Sequence, residues 1–364
     1  MAKAKSTSKR TPAKAAAKSR SKPLVASRRR VAIVAGATRG AGRGIARALG
    51  EAGFVVVCTG RSTAKQRSAY GMPETIEETA ALVNAAATDG AARAIAMRVD
   101  HSDEREVAKL FARVERELGP IEVVVDSVAG EDPAMGGWGG IIESKLGDLE
   151  AALRNALGSR MITAQHGARA LRKMAWDRVK RDTERSAKPA PHTVPLLVEI
   201  SEYDLPLGAG GNLVAAVVKS SLKIIAATLA EELRPDGVAA VSVTPGFLRS
   251  EAMLRHFDVT KDTWREGGAQ DPHFLHSESP LFVGRAIAAL ANDPTAMAKT
   301  GRILSSWELA REYGVVDEDG TRPDWGAHWR DVVVPAMPGI RTGIEHQAAW
   351  LEAMAIRARS QLAR

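Results

Sequence analysis

Short apolar runs alternate along the chain with longer stretches whose apolar residues recur every three or four positions. The runs at 31–36, 54–59, 94–99, 121–129, 194–201, 238–244 and 302–306 have no polar alternation, as expected of strands buried on both faces. The stretches at 42–52, 74–88, 103–118, 144–175, 212–234 and 280–292 carry the helical period. Strand–helix alternation of this kind predicts an α/β fold: a doubly wound parallel sheet of about seven strands, a Rossmann arrangement with helices on both faces. Ligands of such sheets sit at the carboxyl ends of the strands.

Three stretches fall outside this rhythm. Ser62–Pro73 reads as a polar loop, and Arg172–Pro195 as an extended helix running into a proline-rich surface loop. Residues 317–364 read as a small C-terminal extension, with Trp325, Trp329 and Trp350 as docking anchors. The expected organisation is a disordered basic tail (1–30), an α/β domain (31–316) and the extension (317–364).

Charge supports the first boundary. The chain carries a formal +8 from 51 Lys+Arg against 43 Asp+Glu, but eleven of the basic residues lie in Met1–Arg30, which has no acid. The remainder is therefore net −3, and the basic balance belongs to the tail. That Lys/Ala/Ser/Pro-rich segment has little to bury and lacks the apolar core of a secretory signal. It reads first as a solubilising extension, with weak polyanion or nucleic-acid contact as an alternative. One cysteine, Cys58, sits in an apolar run and excludes an internal disulfide, which suits a reducing cytoplasmic compartment. No apolar run approaches the roughly 18 residues of a membrane span; Leu213–Ala230 is broken by Lys219 and Lys223.

The densest chemical signal is Val31–Gly53, where the first apolar run meets Gly36-x-x-x-Gly40-x-Gly42 and then a helix pattern. Glycines let backbone approach a pyrophosphate, and the helix start presents free N–H groups at its positive dipole end. Sites for NAD(H) usually place an acid about 20 residues past the glycine turn, to accept from the ribose 2′-hydroxyl. Here Thr59-Gly60-Arg61 stands there, with Arg39 inside the turn next to Thr38. Two guanidinium groups suit a 2′-phosphate, so NADP(H) is favoured over NAD(H). The histidines His273 and His276, with Asp271, lack a third ligand at metal spacing, and no metal is expected.

These motifs resemble the short-chain dehydrogenase/reductase family. Its GxxxGxG glycine form is present, as is Asp100 closing the third strand. Ala129 and Gly130 stand where the family has NNAG, Asn155 and Gly158 match its NxxG, and Pro245-Gly246-x-x-x-Ser250 is similar to its PGxxxT. The runs 279–284, 309–314 and 244–251 resemble the dehydrogenase/reductase member 1 subgroup. The resemblance implies cofactor contacts at Gly36, Thr38, Arg39, Gly40, Gly42, Arg61, Asp100, Ala129, Gly130, Lys219, Pro245, Gly246 and Ser250. It also implies a homodimer or homotetramer.

The family's proton donor is a tyrosine four residues before a lysine. Lys219 is that lysine, but its i−4 residue is Ala215 and its i−7 residue is Asn212. The family's serine position falls on Glu202, one residue after Ser201. Tyr203, on the same loop, is the candidate relocated acid beside Glu202 and Asp204. The catalytic set expected is thus Asn155, Ser201, Glu202, Tyr203 and Lys219. Two functions follow: an NADP(H)-dependent oxidoreductase of small carbonyls or alcohols, or a catalytically impaired cofactor-binding sensor, scaffold or partner subunit.

Overall fold

The computed structural model describes residues 29–68, 71–86, 93–129, 142, 145–184, 193–201 and 213–336. Seven parallel strands form one sheet in the order β3-β2-β1-β4-β5-β6-β7. They are β1 (Arg30–Ala35), β2 (Phe54–Gly60), β3 (Arg93–Arg98), β4 (Ile121–Asp126), β5 (Leu196–Ile200), β6 (Ala239–Thr244) and β7 (Ile303–Ser305). The chain winds outward from β1 to β3, returns to β4 beside β1, and continues to the far edge. The reversal between β1 and β4 opens the crevice in which doubly wound sheets bind ligands.

The core follows from the apolar runs. β1, β2, β4, β5 and β6 are buried almost throughout, so each side of every strand meets a helix layer. On one side α1 (Gly40–Glu51), α2 (Ile76–Ala86), α7 (Pro280–Asn292) and α8 (Ser306–Tyr313) enclose Val34, Val56, Val125 and Val243. On the other, α3 (Glu104–Glu117), α4 (Leu146–Glu184) and α5 (Leu213–Leu233) enclose Ile33, Val57, Val124 and Leu197. Cys58 lies inside the first layer, and burial pushes its thiol up to about 12, making it a packing residue. Helix α3 starts at Asp103, whose carboxylate accepts from the N–H groups of Arg105 and Glu106.

The expected boundaries shift in two places. The fourth strand stops at Asp126 and not 129, because Ser127 turns across the top of β1, its N–H donating to the Ala35 carbonyl at 2.9 Å. Helix α4 runs nine residues past 175, to Glu184. Beyond the sheet, α6 (Glu251–His256), short 3-10 turns at Trp264–Ala269 and Pro272–His276, and α9 (Trp325–His328) form a cap. Phe257, Trp264 and Phe274 are its own small core. Trp325 meets Phe247 of this cap edge-on, ring centres 5.5 Å apart, and Trp329 lies tilted beside Trp325 at 6.1 Å. The basic tail through residue 28, and 337–364 with Trp350, lie outside the described residues.

Candidate functional site

At the carboxyl ends of β1, β2 and β4 a cleft of about 160 Å³ is lined by Gly36, Thr38, Arg39, Arg61, Asp100, Ala129, Asn155 and neighbours. Its floor exists because two positions carry no side chain. Gly36 has φ +75°, and a Cβ there would stand 2.4 Å from the Ser127 carbonyl oxygen. A Cβ on Gly42 would stand 2.2 Å from the Gly36 oxygen. The turn therefore folds tightly onto itself, leaving room at the start of α1.

That helix start seeks an anion. Arg39, the residue before α1, provides no side-chain cap. Instead the Gly40 N–H donates to Glu251 Oε2 at 2.7 Å, and Arg43 pairs with the other Glu251 oxygen at 3.3 Å. A carboxylate thus sits at the positive helix end, as its dipole favours. Ser250 is alongside, its Cβ 3.7 Å from where a Gly40 Cβ would be. It also caps α6, accepting from the Met253 N–H.

The arginines flank the outer end of the cleft. Arg39 donates to Ser68 Oγ at 3.1 Å and lies 3.4 Å from Glu74. Glu74 is also held by Arg255; burial pushes its carboxyl up, but the Arg255 hydrogen bond and the two guanidinium charges prevail and hold it low. Arg61 is half-exposed and 4.0 Å from Asp100. Burial raises the Asp100 carboxyl, but the Ser102 hydroxyl and N–H and the Arg61 charge outweigh this, so it stays ionised.

Deeper in, Asn155 of α4 faces the cleft. Its turn packs on α5 through Ala152, Ala156 and Val218, which brings the turn of Lys219 beside it. Ala215 is one helical turn before Lys219 in α5. Ser201 follows β5, buried, with its hydroxyl hydrogen-bonded to that of Ser242. Pro245 and Gly246 follow β6, the Gly246 N–H donating to Glu278 Oε2 at 3.0 Å. Gly130, Glu202, Tyr203, Asp204 and Asn212 lie outside the described residues.

Two polar groups of the cleft wall escaped the sequence reading. His101 is fully buried between the hydroxyls of Thr59 and Thr163, 2.8 Å from each. Burial, aided by the Arg160 and Arg61 charges, drives it down to about 4, so it is neutral. Behind Ser127 and Ser159, Arg160 of α4 meets Asp126 of β4 and Glu199 of β5, all three dry. The sequence held only a faint signal, Asp126 and Glu199 being acids within mostly apolar strand runs.

Comparison with known proteins bears on the family and the fold. The short chain dehydrogenase family model matches residues 30–176. Mouse dehydrogenase/reductase SDR family member 1 is 30% identical over 302 residues, covering 80% of this chain and 83% of that protein. The chain belongs to the short-chain dehydrogenase/reductase family. The human counterpart is 28% identical over the same shares, and the 3-oxoacyl-[acyl-carrier-protein] reductase FabG of Aquifex aeolicus is 23% identical over 65% of this chain and 81% of its own. Among solved structures, YwfH, an NADPH-dependent reductase of bacilysin biosynthesis, superposes with a TM-score of 0.57 at 17% identity, over 76% of this chain and 96% of that one. A hydroxysteroid dehydrogenase from Escherichia coli gives 0.55 at 19%, over 76% and 95%. These two likenesses concern the fold. Among the described residues no helix is long and apolar enough to cross a membrane.

Proposed function

We propose that the chain is an NADP(H)-dependent oxidoreductase acting on a small carbonyl or alcohol. The observation that carries this is the glycine-walled anion seat at the start of α1, already holding a carboxylate, with Arg39 and Arg61 on the same cleft. The residues fit a dinucleotide: Gly36 and Gly42 leave the space, the Gly40 N–H is a demonstrated donor to an anion, and Glu251 would yield it to the pyrophosphate. Arg39 and Arg61 would hold a 2′-phosphate, while Asp100 and Ala129, which line the same cleft, would border the adenine side. Pro245, Gly246 and Ser250 would border the nicotinamide amide and the phosphates.

When bound, the nicotinamide supplies hydride chemistry. The chain's part is to orient the substrate and manage one proton at the carbonyl oxygen. Lys219, on the α5 turn packed beside that of Asn155, would hold the nicotinamide ribose. An alanine at 215 has no proton to give, so the donor must come from elsewhere. Tyr203, with Ser201 and Glu202, is the sequence's candidate. Ala215 is also what favours the second reading, a binding protein without turnover.

Titration with NADPH and NADH, followed by a carbonyl panel, separates the readings. Tighter binding of NADPH by about tenfold or more is expected, with most of that preference lost in R39A or R61A. Equal affinities would overturn the cofactor assignment. Binding without turnover, and a gain of reductase activity in A215Y, would establish the second reading. We also infer a homodimer or homotetramer in a reducing cytoplasmic compartment, with residues 1–30 contacting polyanions only weakly.

A further inference from the structure

Arg160 stands between two carboxyl groups, and nothing in the reaction family described above requires any of the three. Its Nη1 lies 3.3 Å from Asp126 Oδ1 and 3.3 Å from Glu199 Oε2, and also donates to the Asp126 carbonyl at 2.5 Å. Its Nη2 donates to the Ile200 carbonyl at 3.4 Å. Asp126 and Glu199 are side by side in register across β4 and β5. All three side chains are at most 3% exposed. Among the described residues one cation faces both carboxylates, and in a dry site the excess charge is removed most cheaply by a proton.

This group sits directly behind the cleft wall. Asp126 Oδ1 accepts the Val128 N–H at 3.0 Å. Ser127 and Val128 are the backbone against which Gly36 is pressed. On α4, Ser159 and Asn155 line the same cleft, and on β5 the next residue after Ile200 is Ser201. A shift of Arg160 would therefore reach the glycine turn through a single stretch of backbone.

We propose that Arg160, Asp126 and Glu199 form a brace carrying one proton between its two carboxyls, and that the protonated brace positions the 127–128 wall for dinucleotide binding. The second half rests on the dinucleotide reading; the first does not. Burial and the neighbouring Asp126 charge hold Glu199 well above the usual carboxylate range, against the pull of Arg160, which makes it the carrier of the proton. Among the described residues the charged groups facing it are Arg160 from α4 and Asp126 from β4, while β6 presents Ser242. His101 stands near Arg160 but stays neutral above about 4.

The test compares the full-length wild type with E199Q, which imitates the neutral acid, across pH 6 to 10. The readouts are NADPH affinity and melting temperature. Wild type is expected to lose about fivefold more affinity than E199Q over this range, with the melting-temperature gap widening as pH rises. Glu278 titrates near 8 in both proteins, so only the difference between them counts. D126N removes the same excess charge from the other side and serves if E199Q misfolds. Parallel melting profiles would overturn the shared proton. A widening melting gap with parallel affinity profiles would overturn the positioning role. If neither protein binds NADPH or NADH, the dinucleotide reading and the positioning role fall together, and the melting gap still decides the proton.

Discussion

A carboxyl group sealed from water keeps its proton unless enough donors face it, and Glu278 has too few. Its Oε2 accepts from the Gly246 N–H and, at 2.5 Å, from the Ser306 hydroxyl. Burial outweighs both and raises the group to about 8, with Asp317 adding to the rise. The folded chain therefore holds a proton that the unfolded chain releases near the ordinary 4.5. The sign follows: stability is greatest below about 4.5 and falls as pH climbs towards 8. E278Q keeps an acceptor for Gly246 and Ser306 but cannot ionise. Its melting temperature should gain on wild type by about 5 °C between pH 5 and 8.5, and then level off. Calorimetry at several pH values measures this; a constant offset would mean that Glu278 is ionised in the fold.

At the scale of elements, one buried side chain ties several segments of the cap to the body of the fold. Asp317, fully buried, accepts from Arg249 Nη2 at 3.0 Å, from the Ser279 N–H at 2.9 Å and from the Ser279 hydroxyl. It thereby ties the segment after α8 to the start of α7 and to the turn that carries Ser250. Arg249 in turn lies over the Trp264 ring, 3.8 Å from its centre. D317A would leave Arg249 buried without its main counter-ion, a loss of about 3–5 kcal/mol read in urea unfolding. D317N should recover part of it; a cost under about 1 kcal/mol would show that water replaces the pair. The sequence offered no hint of this, since Val-Val-Asp-Glu-Asp-Gly reads as a solvated acidic loop and its partner is 68 residues away. The strands were legible because burial on both faces demands an unbroken apolar run, and the glycine turn because crowding at Gly36 and Gly42 leaves no alternative residue. Arg160, Asp126 and Glu199 were not, since three distant positions must meet before any of them makes sense.

Across the whole molecule, the helices α4 and α5 leave the sheet with a second apolar side. On α5, Val218, Leu222, Ala226, Ala230 and Leu233 are buried, while Ile224 is 65% exposed; on α4, Met161 is 60% exposed. A large apolar side chain held in water forgoes roughly 1.5–3 kcal/mol of burial, which a neighbouring subunit would recover. The proposed homo-oligomer places this surface at its interface, where a two-fold axis would set α4 and α5 against the same pair in the partner. I224E inserts a charge there at a position that does not line the cleft. Sedimentation should show the wild type as a dimer or tetramer and I224E shifted at least tenfold in dissociation constant, about 1.4 kcal/mol or more, with NADPH affinity retained. A wild type that sediments as a monomer would remove the oligomer proposal. An I224E variant that stays assembled would move the interface elsewhere, towards the exposed Trp176 and Val179 on the long end of α4.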